Sequence, residues 1–157
     1  MWQETGYKTG LIGHIVLENS LSLPRPLANQ LLSHAQKNPD NEVCGLIGRD
    51  QSDHHNIDYY PVSNIADDTA HRFEMEPKQQ IAAMKQMRDR NQALFAIVHS
   101  HPSAQATPSS IDLERIEYDD VYYLIISLNT KGVLDMRSYL LRGNGMQEVE
   151  LLLEHDD

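Results

Sequence analysis

Two histidines separated by one residue, in His99-Ser100-His101-Pro102, are followed by Ser109 and, eleven residues past His101, by Asp112. At the end of a strand, side-chain alternation places both imidazoles on one face, where they can converge on one metal ion. The five residues before them, Leu94 to Val98, are apolar, so the pair marks where a buried strand emerges into something polar. Two histidines, one carboxylate and an open fourth position form the pattern of a catalytic zinc site. Asp112 and Ser109 also have a purely structural reading. An acid in the first turn of a helix, with a serine just before it, is what a helix N-terminus prefers. The residues alone leave cap and ligand both open. Such a site needs a general base beside the reacting water. Glu42 is the candidate, because it enters the apolar run Val43-Cys44-Gly45-Leu46-Ile47-Gly48, where an unpaired acid is costly.

The rest of the chain bounds this chemistry. A length of 157 residues is one domain's worth, enough to bury roughly 70% of the unfolded surface. Apolar residues make up 40% and charged residues 23%, which is ordinary globular composition. Cys44 is the only cysteine, so a disulfide framework within the chain and cysteine-only metal sites are excluded. Any zinc must therefore be held by histidine and carboxylate. Lys and Arg total 13 against 23 Asp and Glu, a formal net charge of −10. That balance argues against holding nucleic acid by phosphate neutralisation. The N-terminal residues show no signal-peptide pattern, and no apolar run approaches the ~20 residues of a membrane helix. A cytoplasmic protein is expected, with no membrane and no nucleic acid among its partners.

The elements that must position the site follow from periodicity. Residues 1–10 read as a flexible N-terminus and 11–154 as one domain without a composition break. Strands are predicted over 11–18, 41–50, 53–64, 93–102, 121–128, 133–142 and 146–154, with a short strand-like centre at 73–76. Helices are predicted over 24–40, 77–92 and 110–120, the second with Ile81, Met84, Met87 and Arg88 on one face. Asn129 to Gly132 reads as a turn, and Gly143-Asn144-Gly145 as a hairpin turn. This order predicts an α/β domain with a central mixed sheet flanked by helices.

Taken together, Glu42-x-x-Gly45 and His99-Ser-His101-Pro102-x6-Ser109-x2-Asp112 resemble the signature of the JAMM (MPN+) metallopeptidases. The histidine–serine–aspartate spacing fits without departure. The stretch from Asn64 to Phe73-Glu74-Met75-Glu76-Pro77 also looks like the family's segment before its second helix, and the resemblance covers roughly residues 11–142. It implies the JAMM/MPN fold, a curved mixed sheet of cytidine-deaminase-like type. It implies zinc on His99, His101 and Asp112, Glu42 as general base, and Ser109 as hydrogen-bond donor to the oxyanion. Enzymes of the family cleave after the C-terminal Gly-Gly of ubiquitin or ubiquitin-like proteins, holding the extended tail partly by adding it to a sheet edge. Only eight residues separate Asp112 from Val121, which leaves no room for the long insertion of ubiquitin-specific members. The chain resembles the compact prokaryotic type that processes sulfur-carrier proteins, and a carrier with a Gly-Gly tail is the expected partner. No oligomeric state follows from the sequence.

Competing readings are weaker. An inactive scaffold or docking domain of the same fold would have lost zinc ligands, and none is missing. A DNA-repair or phage-assembly relative is disfavoured by the −10 charge and by the absence of an attached second peptidase domain in this sequence. Cys44, within an apolar strand, reads as a small hydrophobe first, and as a redox-sensitive neighbour of the zinc or a nucleophile second. His54-His55 reads as a solvated strand edge, His14 as a strand-surface residue, and Trp2 as part of the tail. His34 and His155 have no partner at ligand spacing. His71-Arg72 is a candidate contact for a substrate carboxylate or tail. Gly45 and Gly48 are too sparse for a phosphate loop.

Overall fold

The computed structural model describes residues 17–129 and 134–154. The expected flexible segment 1–10, most of the expected strand 11–18, most of the 129–132 turn, and Trp2, His14 and His155 lie outside the described residues.

The described residues run β1 (Ser20–Pro24), α1 (Arg25–Gln36), β2 (Cys44–Arg49), β3 (Ile57–Val62), α2 (Pro77–Asp89), β4 (Ala93–His101), α3 (Ser110–Glu114), β5 (Tyr122–Ser127), β6 (Asp135–Arg142) and β7 (Gly145–Glu154). One mixed seven-stranded sheet results, in the spatial order β1-β7-β6-β5-β4-β2-β3. The β1–β7 and β4–β5 pairs are parallel and the other four antiparallel. This is the α/β domain with a central mixed sheet that the sequence predicts.

Strand β5 explains the layering. All six of its residues are buried, because both faces are covered. Leu124 and Ile126 join the cluster beneath α1, with Leu27, Leu31 and Ala35. Tyr123 and Ile125 join the cluster beneath α2, with Ala83 and Met87. A strand covered on both sides loses the polar–apolar alternation of a half-exposed one, which is why VYYLIISL reads as a continuous apolar run.

Several elements depart from expectation. The helices predicted over 24–40 and 110–120 stop at Gln36 and Glu114. Ser20–Pro24 forms a strand that the sequence does not announce, although Leu21 and Leu23 are buried and alternate with serine. Its parallel partner is β7, at the far end of the chain, and nothing local signals so remote a pairing. In α2 the inward face runs through Ala83 and Met87, while Ile81 is 69% exposed, so the predicted Ile81-centred face is rotated. The strand-like centre at 73–76 is reduced to one bridge, Asn64 to Met75. The strand predicted over 53–64 begins at Ile57, leaving His54 and His55 exposed in the turn before it.

One glycine matters for the site. A Cβ on Gly45 would lie 2.4 Å from Tyr59 Cε1, so the Glu42-x-x-Gly45 spacing keeps room for a buried tyrosine ring. That ring's hydroxyl bonds His34 Nδ1 at 2.7 Å, which gives His34 a structural role.

Candidate metal centre

The site lies where β4 leaves the sheet. Phe95, Ala96, Ile97 and Val98 are buried, and the next side chains on that strand are His99 and His101, exposed by 3% and 2%. Two-residue periodicity turns both rings the same way, and their Nε2 atoms stand 3.1 Å apart. The chain then turns through Pro102–Pro108 and enters α3 at Ser109. There a capping box forms: Ser109 Oγ accepts from Asp112 N at 3.0 Å, and Ser109 N donates to Asp112 Oδ2 at 2.8 Å. The same Oδ2 lies 3.2 Å from Nε2 of each histidine. The cap reading and the ligand reading, both left open by the sequence, are compatible, because the cap aims the carboxylate at the imidazoles.

The donor set fits a metal. His101 Nδ1 bonds the carbonyl of Gln105 at 2.6 Å. A carbonyl only accepts, so Nδ1 carries the proton and the neutral ring turns the Nε2 lone pair to the centre. Two imidazole nitrogens and a carboxylate oxygen then face one another at 3.1–3.2 Å. This is close to the edge of about 3.3 Å of a tetrahedron with metal–ligand distances near 2.0 Å. A cation between these electron-rich atoms converts mutual repulsion into shared attraction. Glu42 completes the group, with one ligand atom from each of Glu42, His99, His101 and Asp112 within 4.8 Å of the others.

Burial and charge set the proton affinities. Burial, reinforced by the charges of Asp112 and Asp68 and opposed by His101, pushes the Glu42 carboxyl up to about 8. Burial also lowers His99. His101 is pulled down by burial, but its bonds to Asp112 and Gln105 and the nearby carboxylate charges outweigh that and raise it. Burial works against ionised Asp112, yet its bonds to both histidines and to Ser109 N hold it far below the usual carboxylate range. The result is an ionised ligand carboxylate beside a second carboxyl that holds its proton easily.

Glu42 lies two residues before β2, outside regular strand, which corrects the expectation that it begins one. Its backbone is pinned instead. Its N–H donates to Thr69 O at 2.6 Å, and its carbonyl accepts from Asn64 Nδ2 at 2.9 Å. Val43 N donates to Ser100 Oγ at 2.9 Å, and Ser100 N returns a bond to Val43 O at 3.0 Å. Glu42 Oε1 is buried without a hydrogen-bond partner among the described residues. An orphaned carboxylate oxygen beside three convergent ligands is poised to take a proton.

Sequence reasoning misses the supporting residues. Ser100 sits inside the histidine motif, but its side chain faces the other way and clamps Val43. Asn64 also bonds Arg72 O, Ala66 N and Glu74 N, so it ties the 64–76 segment to Glu42. Phe73 stacks on the His99 ring at 4.6 Å. All three fall in stretches that the motif reading singles out, but nothing in the sequence marks them as supports. Cys44 lies outside the convergent group. Its thiol donates to Val62 O at 3.3 Å, and burial pushes it up to about 12, which overturns the nucleophile reading. His71 bonds Asp68 at 2.9 Å and lines a groove with Glu42 and Ser109.

The family model for prokaryotic homologues of the JAB domain matches residues 24–141, which takes in every residue of this centre. The chain belongs to that family. It is a JAMM/MPN protein and a hydrolase of the JAMM type. It is 27% identical over 138 residues to a desampylase of Haloferax volcanii, covering 85% of this chain and 96% of that one. It is 23% identical over 122 residues to a CysO-cysteine peptidase of Mycobacterium tuberculosis, covering 78% and 83%. Among solved structures, protein DSY2949 of Desulfitobacterium hafniense superposes with a TM-score of 0.74 at 32% identity, covering 86% of this chain and 93% of that one. A Salinibacter ruber protein shares the fold at a TM-score of 0.59 and 19% identity, covering 85% and 90%.

Proposed function

We propose that this JAMM protein is a zinc peptidase or isopeptidase that cleaves after the C-terminal Gly-Gly of a ubiquitin-like, sulfur-carrier type protein. The observation that carries the reading is the convergence of His99, His101 and Asp112 beside the unpartnered Glu42 carboxyl. These three residues would hold zinc, which supplies Lewis acidity and brings the pKa of a water toward ~7. Glu42 takes the proton of the attacking water and delivers it to the leaving amine. Ser109 Oγ has one lone pair engaged by Asp112 N, so its own proton is available for the oxyanion. Gln105 fixes the tautomer of His101, and Asn64, Thr69 and Ser100 fix the entry of Glu42.

The relatives named as a desampylase and as a CysO-cysteine peptidase support a small protein conjugate as substrate. No helix among the described residues is long and apolar enough to cross a membrane, and the reading places the enzyme in the cytoplasm with its carrier. The test is mass spectrometry of carrier fusions mixed with zinc-loaded protein, beside the Glu42→Gln variant. Release of a carrier ending in Gly-Gly by the parent alone is expected. Intact fusions, or equal cleavage by Glu42→Gln, overturn the assignment.

A further inference from the structure

The two flanks of the metal centre differ. On one, Glu42, His101 and Ser109 share an open groove with Ala70, His71 and Pro102. On the other, His99 and Asp112 close the end of an apolar pocket of about 120 Å³. Ile97, Tyr123, Phe73, Met75, Ile111 and Tyr118 line it. The walls are built. Phe73 stacks on His99, Met75 bridges to Asn64, and the Tyr123 hydroxyl donates to Tyr118 O. Glu74, Arg115 and Glu117 stand at the rim.

We propose that this pocket is the subsite for an aliphatic side chain of the carrier tail, the first one before Gly-Gly. The proposal rests on the function given above and extends it to sequence preference. The direction follows from the base. The leaving amine must reach Glu42, which opens into the groove. The leaving group therefore occupies the groove, and the acyl chain runs the other way, past His99. The two glycines carry no side chain. At about 3.3 Å per residue, the first side chain arrives roughly 7 Å from the scissile carbonyl, beyond the His99–Asp112 end of the pocket. The volume is somewhat below the ~150 Å³ apolar cavity that accepts a benzene, which suits one Leu, Ile or Val. An acidic side chain would lose its hydration there and meet three carboxylates, Glu74, Glu117 and Asp112, against the single cation Arg115, which already stands 4.0 Å from Glu74.

Three carriers identical except for Leu, Ala or Asp before Gly-Gly, each bearing the same extension, test this. Their kcat/KM values are compared, and binding of the corresponding free tail peptides to zinc-loaded protein is measured by calorimetry. The Leu carrier is expected to exceed the Ala carrier by about 10–100-fold, the value of burying one aliphatic side chain, with the Asp carrier lower still. Met75→Trp, which fills the pocket, should erase the preference in both rate and peptide binding; Ile111→Glu reaches the same pocket from α3 if Met75→Trp fails to fold. Equal cleavage of all three carriers overturns the subsite and leaves the proposed function standing. A preference set by the residue after the scissile bond overturns it too, because the pocket then serves the leaving group. If no carrier is cleaved, tail peptides that still bind with the Leu preference keep the subsite and remove the reaction, while peptides that do not bind overturn both.

Discussion

The ligand side and the base side of this centre are built in opposite ways. His99, His101, Ser109 and Asp112 lie within fourteen residues of one another, on one strand end, one turn and one helix start. Glu42 is fifty-seven residues upstream of His99 and is placed by Asn64 and Thr69 of one segment and by Ser100 of another, both remote from it in the chain. The ligand side is organised by local rules, strand alternation and a capping box. The base side exists only because β2 and β4 pair, with Cys44 opposite His99. Local geometry tolerates disturbance elsewhere in the fold; an assembled position inherits every error of its supports.

The largest effect separates binding from base chemistry. His99→Ala should reduce zinc stoichiometry from one to near zero and take turnover to background, as read by metal analysis beside the cleavage assay. Full zinc occupancy in that variant would break the ligand side of the comparison. Glu42→Gln should keep its zinc and lose about 10²–10⁴ in turnover; loss of zinc as well would make Glu42 a ligand. Ser109→Ala should cost about 10²–10³ in kcat and about 1 kcal/mol of stability through the lost cap. A variant impaired only in stability would restrict Ser109 to capping.

Smaller effects probe the supports. Gly45→Ala forces a methyl into the Tyr59 ring, and about 1–3 kcal/mol of destabilisation is expected in denaturant melts. Without metal, pH distinguishes the two sides. Burial raises Glu42 from 4.5 to about 8. Between those values the unfolded chain has released this proton while the folded chain retains it. Stability of the metal-free protein from this group therefore falls as pH rises from about 4.5 to about 8 and is level above. Metal-free Glu42→Gln should melt like the parent near pH 4.5 and above it near pH 8, by an amount on the order of a few kcal/mol. Parallel pH profiles of the two proteins would mean that the carboxyl is solvated.

The histidine–serine–aspartate set was legible in the sequence because its geometry is local. Period-2 alternation carries His99 and His101 to one face, and the N-cap rule carries Asp112 back toward them. The apolar run of β5 was legible for a related reason, since covering both faces leaves no polar alternation to mislead. Glu42 is legible as an acid out of place at the entry to an apolar run, which makes it the candidate base, and the family resemblance implies the same role. Asn64 and Ser100 had no signal as supports, because hydrogen bonds across 22 and 57 residues leave no period in the chain.

The sequence by itself determined which side chains could serve as metal donors: one cysteine leaves histidine and carboxylate, and the His99–His101 spacing puts both imidazoles on one face. It also pointed to a sheet covered on both faces, through the unbroken apolar run of β5. Only the tertiary structure decided that β1 pairs with the far end of the chain, that the Cys44 thiol bonds Val62 O, that Glu42 Oε1 stands without a hydrogen-bond partner among the described residues beside the candidate ligands, and that a cavity opens on each flank of the centre. Each of these depends on which remote segments meet. That choice is made by packing summed over the whole core, and no local rule encodes it.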